Sequence, residues 1–123
     1  MLDIVTIPCL EDNYAYLIHH KKTSQTLLVD APETKAIIIE LEQRGWNLDK
    51  VLLTHHHNDH VAGLESLRQV YRPKVYGALL DKKRLPSLDV ALKEGDRFNV
   101  GEIDFNVYDV SGHTIGHIAI YSP

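Results

Sequence analysis

Short apolar runs separated by polar turns fill the first part of the chain and predict a β-meander. Three such runs, rich in branched aliphatic and aromatic residues, occupy residues 2–7, 14–18 and 26–30. Breaker-rich residues 8–13 predict a turn after the first run. Polar residues 19–24 predict a hairpin connection before the third run, with His19 and His20 on its surface.

The next part of the chain alternates helical and strand patterns. Residues 33–44 favour a helix, with Pro32 at a good first helical position and Gly45 placed to end it. The apolar run at 51–54 predicts a buried strand, and the apolar spacing over 59–70 predicts a second helix. Strand, helix and strand in succession predict a parallel βαβ unit.

The remaining patterns are shorter. They predict a strand at 75–76, one helical turn at 79–84, a polar turn at 92–96, hairpin strands at 97–100 and 103–110 around Gly101, and a last strand at 118–121. A glycine-rich segment at 111–117 connects the last two of these strands.

Composition narrows the class of protein. A chain of 123 residues with 44% hydrophobic and 24% charged residues is an ordinary globular chain of one domain at most. The net charge of -4 and the absence of a basic stripe argue against nucleic acid. The chain contains no run of 18 apolar residues, so no membrane span is expected, and no signal peptide is recognisable. Cys9, the one cysteine, is expected to be an ordinary buried or half-buried thiol and not a nucleophile. A single cysteine suits a reducing compartment, which favours the cytoplasm.

The densest chemistry lies between the strand at 51–54 and the following helix. In an extended chain His55 and His57 point to one side, whereas His56 points away. Asp59 and His60 stand where the helix begins and can face the same cavity. Imidazole and carboxylate together suit a first-row metal, and two groups of ligands side by side suit two ions. The alternative is a polar loop in which Asp59 caps the helix.

The pattern T-H-x-H-x-D-H at 54–60 resembles the signature of the metallo-β-lactamase superfamily. Within it the chain resembles glyoxalase II, the hydroxyacylglutathione hydrolases, at 10–14 (L-E-D-N-Y), 54–63 and 111–117 (S-G-H-T-I-G-H). The resemblance implies an α+β fold, half of the αβ/βα sandwich, in which a mixed sheet carries helices on one face. Residues 1–123 would be the N-terminal half of such a domain, with the second half absent.

The resemblance also implies a set of metal ligands. His113 would complete a first site with His55 and His57, and Asp59 and His60 would begin a second site. The expected cofactor is zinc, as one or two ions, with iron or manganese as alternatives. His55, His57 and Asp59 would be catalytic, because the metal activates a water molecule for attack and Asp59 orients it.

Two further residues receive secondary roles from the resemblance. His117 stands where the family has a structural, hydrogen-bonded histidine. Asp30 ends a predicted strand, as does a supporting aspartate near the family's metal site. It could orient a ligand histidine, or it could simply cap a turn.

The function implied is hydrolysis of a glutathione thioester, S-D-lactoylglutathione, to D-lactate and glutathione. The aspartate that bridges the two metals, the last histidine of the second site and the glutathione-holding residues are missing from the chain. The alternatives are therefore a catalytically dead metal-binding module and another hydrolase of this fold; β-lactam hydrolysis, RNA processing and persulfide oxidation remain open. A sheet face left without its natural cover predicts a homodimer or a partner half.

Overall fold

The computed structural model describes residues 2–9, 13–54, 64–78, 88–109 and 118–121. Its elements, in chain order, are β1 (Leu2–Cys9), β2 (Asn13–His20), β3 (Gln25–Val29), α1 (Lys35–Arg44), β4 (Lys50–Leu53), α2 (Leu64–Tyr71), β5 (Lys74–Ala78), β6 (Val90–Leu92), β7 (Arg97–Val100), β8 (Ile103–Asp109) and β9 (Ile118–Tyr121). The predicted helical turn at 79–84 lies outside the described residues.

The strands form a six-stranded sheet and a three-stranded sheet. The first has the order β1-β2-β3-β4-β5-β6 and the second the order β7-β8-β9. Strands β1 to β3 pair antiparallel and β3 to β6 pair parallel, so the predicted meander and βαβ unit are both confirmed. The predicted turn at 92–96 is partly wrong, because Leu92 still pairs with Ala78 at the edge of the first sheet.

Helix α1 ends as the sequence predicts but begins later. Gly45 adopts a left-handed conformation (φ 68°), and the N–H of Trp46 donates to the carbonyl of Leu41 at 3.0 Å. This arrangement satisfies carbonyls that the last helical turn leaves open. At the other end Thr34 is the N-cap. Pro32 therefore precedes the helix and is not its first residue.

Each face of the six-stranded sheet carries a buried core, and the two cores follow the alternation of side chains along the strands. In β4, Val51 and Leu53 belong to the core under the helices, where they join residues such as Ile37, Leu41 and Leu67. Leu52 points to the opposite face. It packs there with Leu27, Phe98, Phe105 and Val107, so the second sheet covers this face.

The prediction of an uncovered sheet face is thus wrong for most of that face. The part of it that stays exposed lies on β1 and β2 and is called the β1–β2 face: Ile4, Thr6, Pro8, Tyr14 and Tyr16. Ile4 is 66% exposed, Tyr14 51% and Tyr16 41%. The sequence could not distinguish the two situations, because the covering strands β7 and β8 come about 80 residues after β2.

Polar contacts fasten the two sheets to each other at one end. The ammonium of Lys50 donates to the backbone carbonyl of Asn99 at 2.6 Å and to its side-chain oxygen at 2.7 Å. The N–H of Gly101 donates to Oε1 of Gln25 at 2.7 Å. We call these four residues the inter-sheet joint. Gln25 and Lys50 are the first residues of β3 and β4, so the joint lies where these parallel strands begin.

Candidate metal centre

The predicted metal ligands fall in two segments that flank described strands. His55, His57, Asp59 and His60 lie in 55–63, and His113 lies in 110–117; both segments are outside the described residues, as is His117. Among the residues that the structure does describe, no three histidine, cysteine or acidic side chains gather as a metal site. The structure therefore shows what anchors each ligand segment at its ends.

Asp30 holds the residue that directly precedes the histidine cluster. Its carboxylate accepts the backbone N–H of Thr54 at 2.9 Å, and the Thr54 hydroxyl lies 3.1 Å from Oδ1 and 2.9 Å from Oδ2. The backbone N–H of Asp30 donates to the carbonyl of Leu52 at 2.8 Å. The ends of the neighbouring strands β3 and β4 are thereby tied together one residue before His55.

The backbone of Asp30 is unusual. Its φ of 64° is left-handed, a conformation that only a few per cent of residues other than glycine adopt, with asparagine and aspartate the most frequent. Asp30 is also buried, at 6% exposure. A merely turn-capping aspartate needs neither feature, so the geometry favours a supporting role. Thr54 was not predicted as the partner of Asp30; the only signal was its position at the end of the adjacent parallel strand.

The second ligand segment is anchored at both ends by one strand pair. Asp109 closes β8, Ile118 opens β9, and the two are in register as antiparallel partners. Residues 110–117 therefore connect two positions that face each other across a ladder.

The strands that precede the two ligand segments, β4 and β8, both end away from the inter-sheet joint. Strand β8 begins next to Gly101, in the joint, and ends at Asp109. Strand β4 begins at Lys50, in the joint, and ends just before Thr54. Each segment thus follows the strand end that is remote from the joint. Strands of two stacked sheets usually run within about 30° of each other, so the end of β4 and the end of β8 are expected at the same end of the sandwich.

His19 and His20 are not on the surface of a hairpin, as the sequence predicted. Both belong to β2 and are buried, at 6% and 3% exposure. Nδ1 of His19 lies 2.8 Å from the Thr26 hydroxyl, and Nδ1 of His20 lies 2.8 Å from the Thr23 hydroxyl. The strand continues through these polar residues because each buried imidazole has a threonine hydroxyl as its hydrogen-bond partner.

Cys9 is the buried free thiol that the sequence predicts. It is 1% exposed, and burial together with the nearby charge of Glu33 raises the pKa of the thiol. A thiol with a raised pKa holds little thiolate and is a poor nucleophile.

In the described part of the chain, no helix has the length and apolar character needed to cross a membrane.

Comparison with known families identifies the class. The model of the metallo-beta-lactamase superfamily matches residues 10–123, which is most of the chain, and the chain belongs to that family. The resemblance drawn from the histidine pattern is thus confirmed at the level of the superfamily. The mixed sheet with helices on one face fits half of the family's αβ sandwich.

Curated relatives narrow the likeness to one group. The chain is 60% identical over 122 residues to a hydroxyacylglutathione hydrolase of Ruegeria pomeroyi, and 52% identical to one of Cereibacter sphaeroides. Each match covers 99% of this chain and 48% of the relative, so the chain spans about half the length of the curated relatives it matches.

Solved structures carry the same fold. ETHE1 from Myxococcus xanthus superposes with a TM-score of 0.81 at 26% identity, covering 99% of this chain and 53% of that one. A beta-lactamase from Chitinophaga pinensis superposes with a TM-score of 0.85 at 18% identity, covering 98% and 54%. At such low identity the latter likeness concerns the fold alone.

Proposed function

We propose that this chain is the N-terminal, metal-binding half of a hydrolase that acts on glutathione thioesters, with S-D-lactoylglutathione as substrate. The observation that carries the proposal is the hydrogen bonding of Thr54 to Asp30, which fixes the start of the histidine segment. The 60% identity to a relative named hydroxyacylglutathione hydrolase supports the substrate class.

The chemistry of the donor set fits a metal. His55, His57 and His113 would hold one ion, and Asp59 and His60 would contribute to a second. Zinc suits three imidazoles best, while iron and manganese fit the carboxylate as well. A metal bound there would supply Lewis-acid activation of water, the chemistry that thioester hydrolysis needs. The part of Asp30 is to hold the Thr54 backbone, and with it the entry to the ligand segment.

Metal content tests the first part of this proposal. Protein purified without chelator should contain at least one first-row metal per chain by elemental analysis. His55→Ala should lose that metal, because it removes one of three imidazoles. His56→Ala is the matched control and should keep it, since His56 alternates away from its neighbours. A preparation that cannot be loaded, or equal losses in both variants, contradicts the ligand assignment.

Turnover tests the second part. Loss of thioester absorbance from S-D-lactoylglutathione should be faster with metal-loaded protein than with His55→Ala. We expect Asp59→Ala to reduce the rate more than His56→Ala does. Metal binding without turnover would favour the second candidate, a metal-binding half that requires a partner. The specific observation behind that candidate is that the chain matches only 48% of its relatives' length.

The β1–β2 face is the proposed contact for such a partner half or for a second copy. Its apolar side chains lie on the same side of the sheet as Ile18, which belongs to the core between the sheets. Light scattering on the isolated chain should show association. Ile4→Lys should weaken it, whereas Val70→Lys, at an equally exposed apolar position of α2, should not. A well-folded monomer at micromolar concentration would contradict the contact.

A further inference from the structure

The imidazole of His19 in β2 is stacked on the indole of Trp46, which lies in the connection from α1 to β4. The ring centroids of His19 and Trp46 are 4.1 Å apart and the planes differ by 7°. His19 is buried in β2, and Trp46 is half-buried against the core under the helices. The contact joins strand β2 to Trp46, the second residue after the end of α1. No part of the proposed chemistry uses it.

Further hydrogen bonds fix the connection behind Trp46. The N–H of Thr26 donates to the carboxylate of Asp49 at 2.9 Å, and the N–H of Asp49 donates back to the Thr26 carbonyl at 3.1 Å. The Thr26 hydroxyl is the partner of the His19 ring. The stack and this reciprocal pair thus hold the last residues before β4, the strand that leads to Thr54.

We propose that the His19–Trp46 stack is an acid-sensitive clasp, and that protonation of His19 releases Trp46 and loosens the start of β4. The imidazole has little water around it, so a charge there lacks solvation. The guanidinium of Arg44 already lies 5.2 Å from the centroid of the same indole. A protonated His19 would be a second cation at that ring, and its repulsion from the Arg44 guanidinium opposes the attraction that the indole face has for each cation.

Nearby charges both raise and lower the pKa of His19, and desolvation has the largest effect on that pKa. Burial lowers the pKa of His19, and the nearby His20 and Lys21 lower it further, whereas Asp3 on β1 and Asp49 before β4 raise it. Because the folded-state pKa lies below the ordinary value, the clasp contributes its full stability above about pH 6.5. That contribution is lost as the pH falls through the lower, folded-state pKa.

The chain contains its own reporter, because Trp46 is its one tryptophan. Acrylamide quenching of Trp46 fluorescence should rise in one step as the pH falls, with a midpoint below about 6.5. Far-UV circular dichroism should remain constant across that step, which separates release of the clasp from unfolding. His19→Gln cannot take up the proton and should lose the step. His20→Gln, a change at the adjacent buried imidazole outside the stack, should keep it.

Three results would overturn the clasp. The first is a step that persists in His19→Gln, and the second is loss of the step in His20→Gln. The third is exposure of Trp46 only when the circular dichroism signal is lost as well. A second measurement covers a variant that does not fold. In the unaltered protein the His19 imidazole resonance, followed by NMR, should titrate with the same midpoint as the quenching step. A different midpoint refutes the proposal.

Discussion

Replacement of Asp30 by alanine should destabilise the chain far more than replacement of an exposed carboxylate. The substitution removes the acceptor of both the N–H and the hydroxyl of Thr54, in a site where Asp30 is 6% exposed. A hydrogen bond to a charged group contributes about 1.5–3 kcal/mol. Because Thr54 is only half-buried, we take the lower value for each bond and expect a loss of about 3 kcal/mol in the free energy of unfolding.

Two other substitutions at this position separate the carboxylate from the backbone. Asparagine keeps an oxygen acceptor and tolerates the left-handed conformation, so Asp30→Asn should cost only about 1 kcal/mol. Asp30→Gly loses the acceptor but relieves the left-handed Cβ contact, which is worth about 1–2 kcal/mol. The greater flexibility of glycine offsets part of that gain, so Asp30→Gly should be slightly less destabilising than Asp30→Ala.

Urea denaturation followed by circular dichroism measures these differences, provided that the m-values agree. A double-mutant cycle of Asp30→Ala with Thr54→Val should give a coupling energy of about 1.5 kcal/mol for the hydroxyl bond. Asp104→Ala, a change at an exposed carboxylate of β8, is the control and should stay within about 0.5 kcal/mol. The reasoning is refuted if Asp30→Ala matches this control, or if Asp30→Asn costs as much as Asp30→Ala.

Close contacts, backbone strain and burial elsewhere in the chain give three more predictions. Gly101→Ala should lower the free energy of unfolding, measured by urea denaturation, by about 2–4 kcal/mol. The reason is that φ is +60° and an added Cβ would overlap the His20 ring and the Thr23 hydroxyl. An unchanged denaturation midpoint would show that the β7–β8 hairpin moves easily away from the β2–β3 hairpin. Ser24→Gly should raise the melting temperature, since Ser24 has a φ of 58° in an exposed turn; a lower melting temperature contradicts this. Cys9 should react with a thiol reagent at pH 8 only at the rate at which the chain opens, because burial raises the pKa of its thiol and blocks access; an immediate reaction in native protein contradicts this.

Local patterns determined much of the fold. The strand predicted at 51–54, the end of α1 at Gly45 and the hairpin around Gly101 each depend on neighbouring residues. The structure has all three, with the strand shifted by one residue to Lys50–Leu53. The histidine pattern likewise needs only neighbours in the chain, because side chains two residues apart in an extended segment point the same way. The pattern was sufficient to recognise the family, whereas its assignment of individual ligands stays a prediction.

Local patterns failed where a distant partner changes the environment of a residue. His19 and His20 are polar and precede two lysines, which is typical of a surface turn, yet both are buried in β2, where the ring of His19 has Thr26 and Trp46 as partners. Strand β6 was missed for a similar reason. Three residues carry too little periodicity, and only pairing with β5 makes them a strand.

The sequence by itself determined most of the elements, the superfamily and the candidate ligands, because these depend on residue types at short spacing. Only the tertiary structure decided how the elements meet. Asp30 reaches Thr54 across 24 residues, Lys50 reaches Asn99 across 49, and Gln25 reaches Gly101 across 76. Such contacts depend on the packing of two sheets, which brings together side chains that have no relation in the sequence. The same packing covers most of the sheet face and leaves the β1–β2 face exposed.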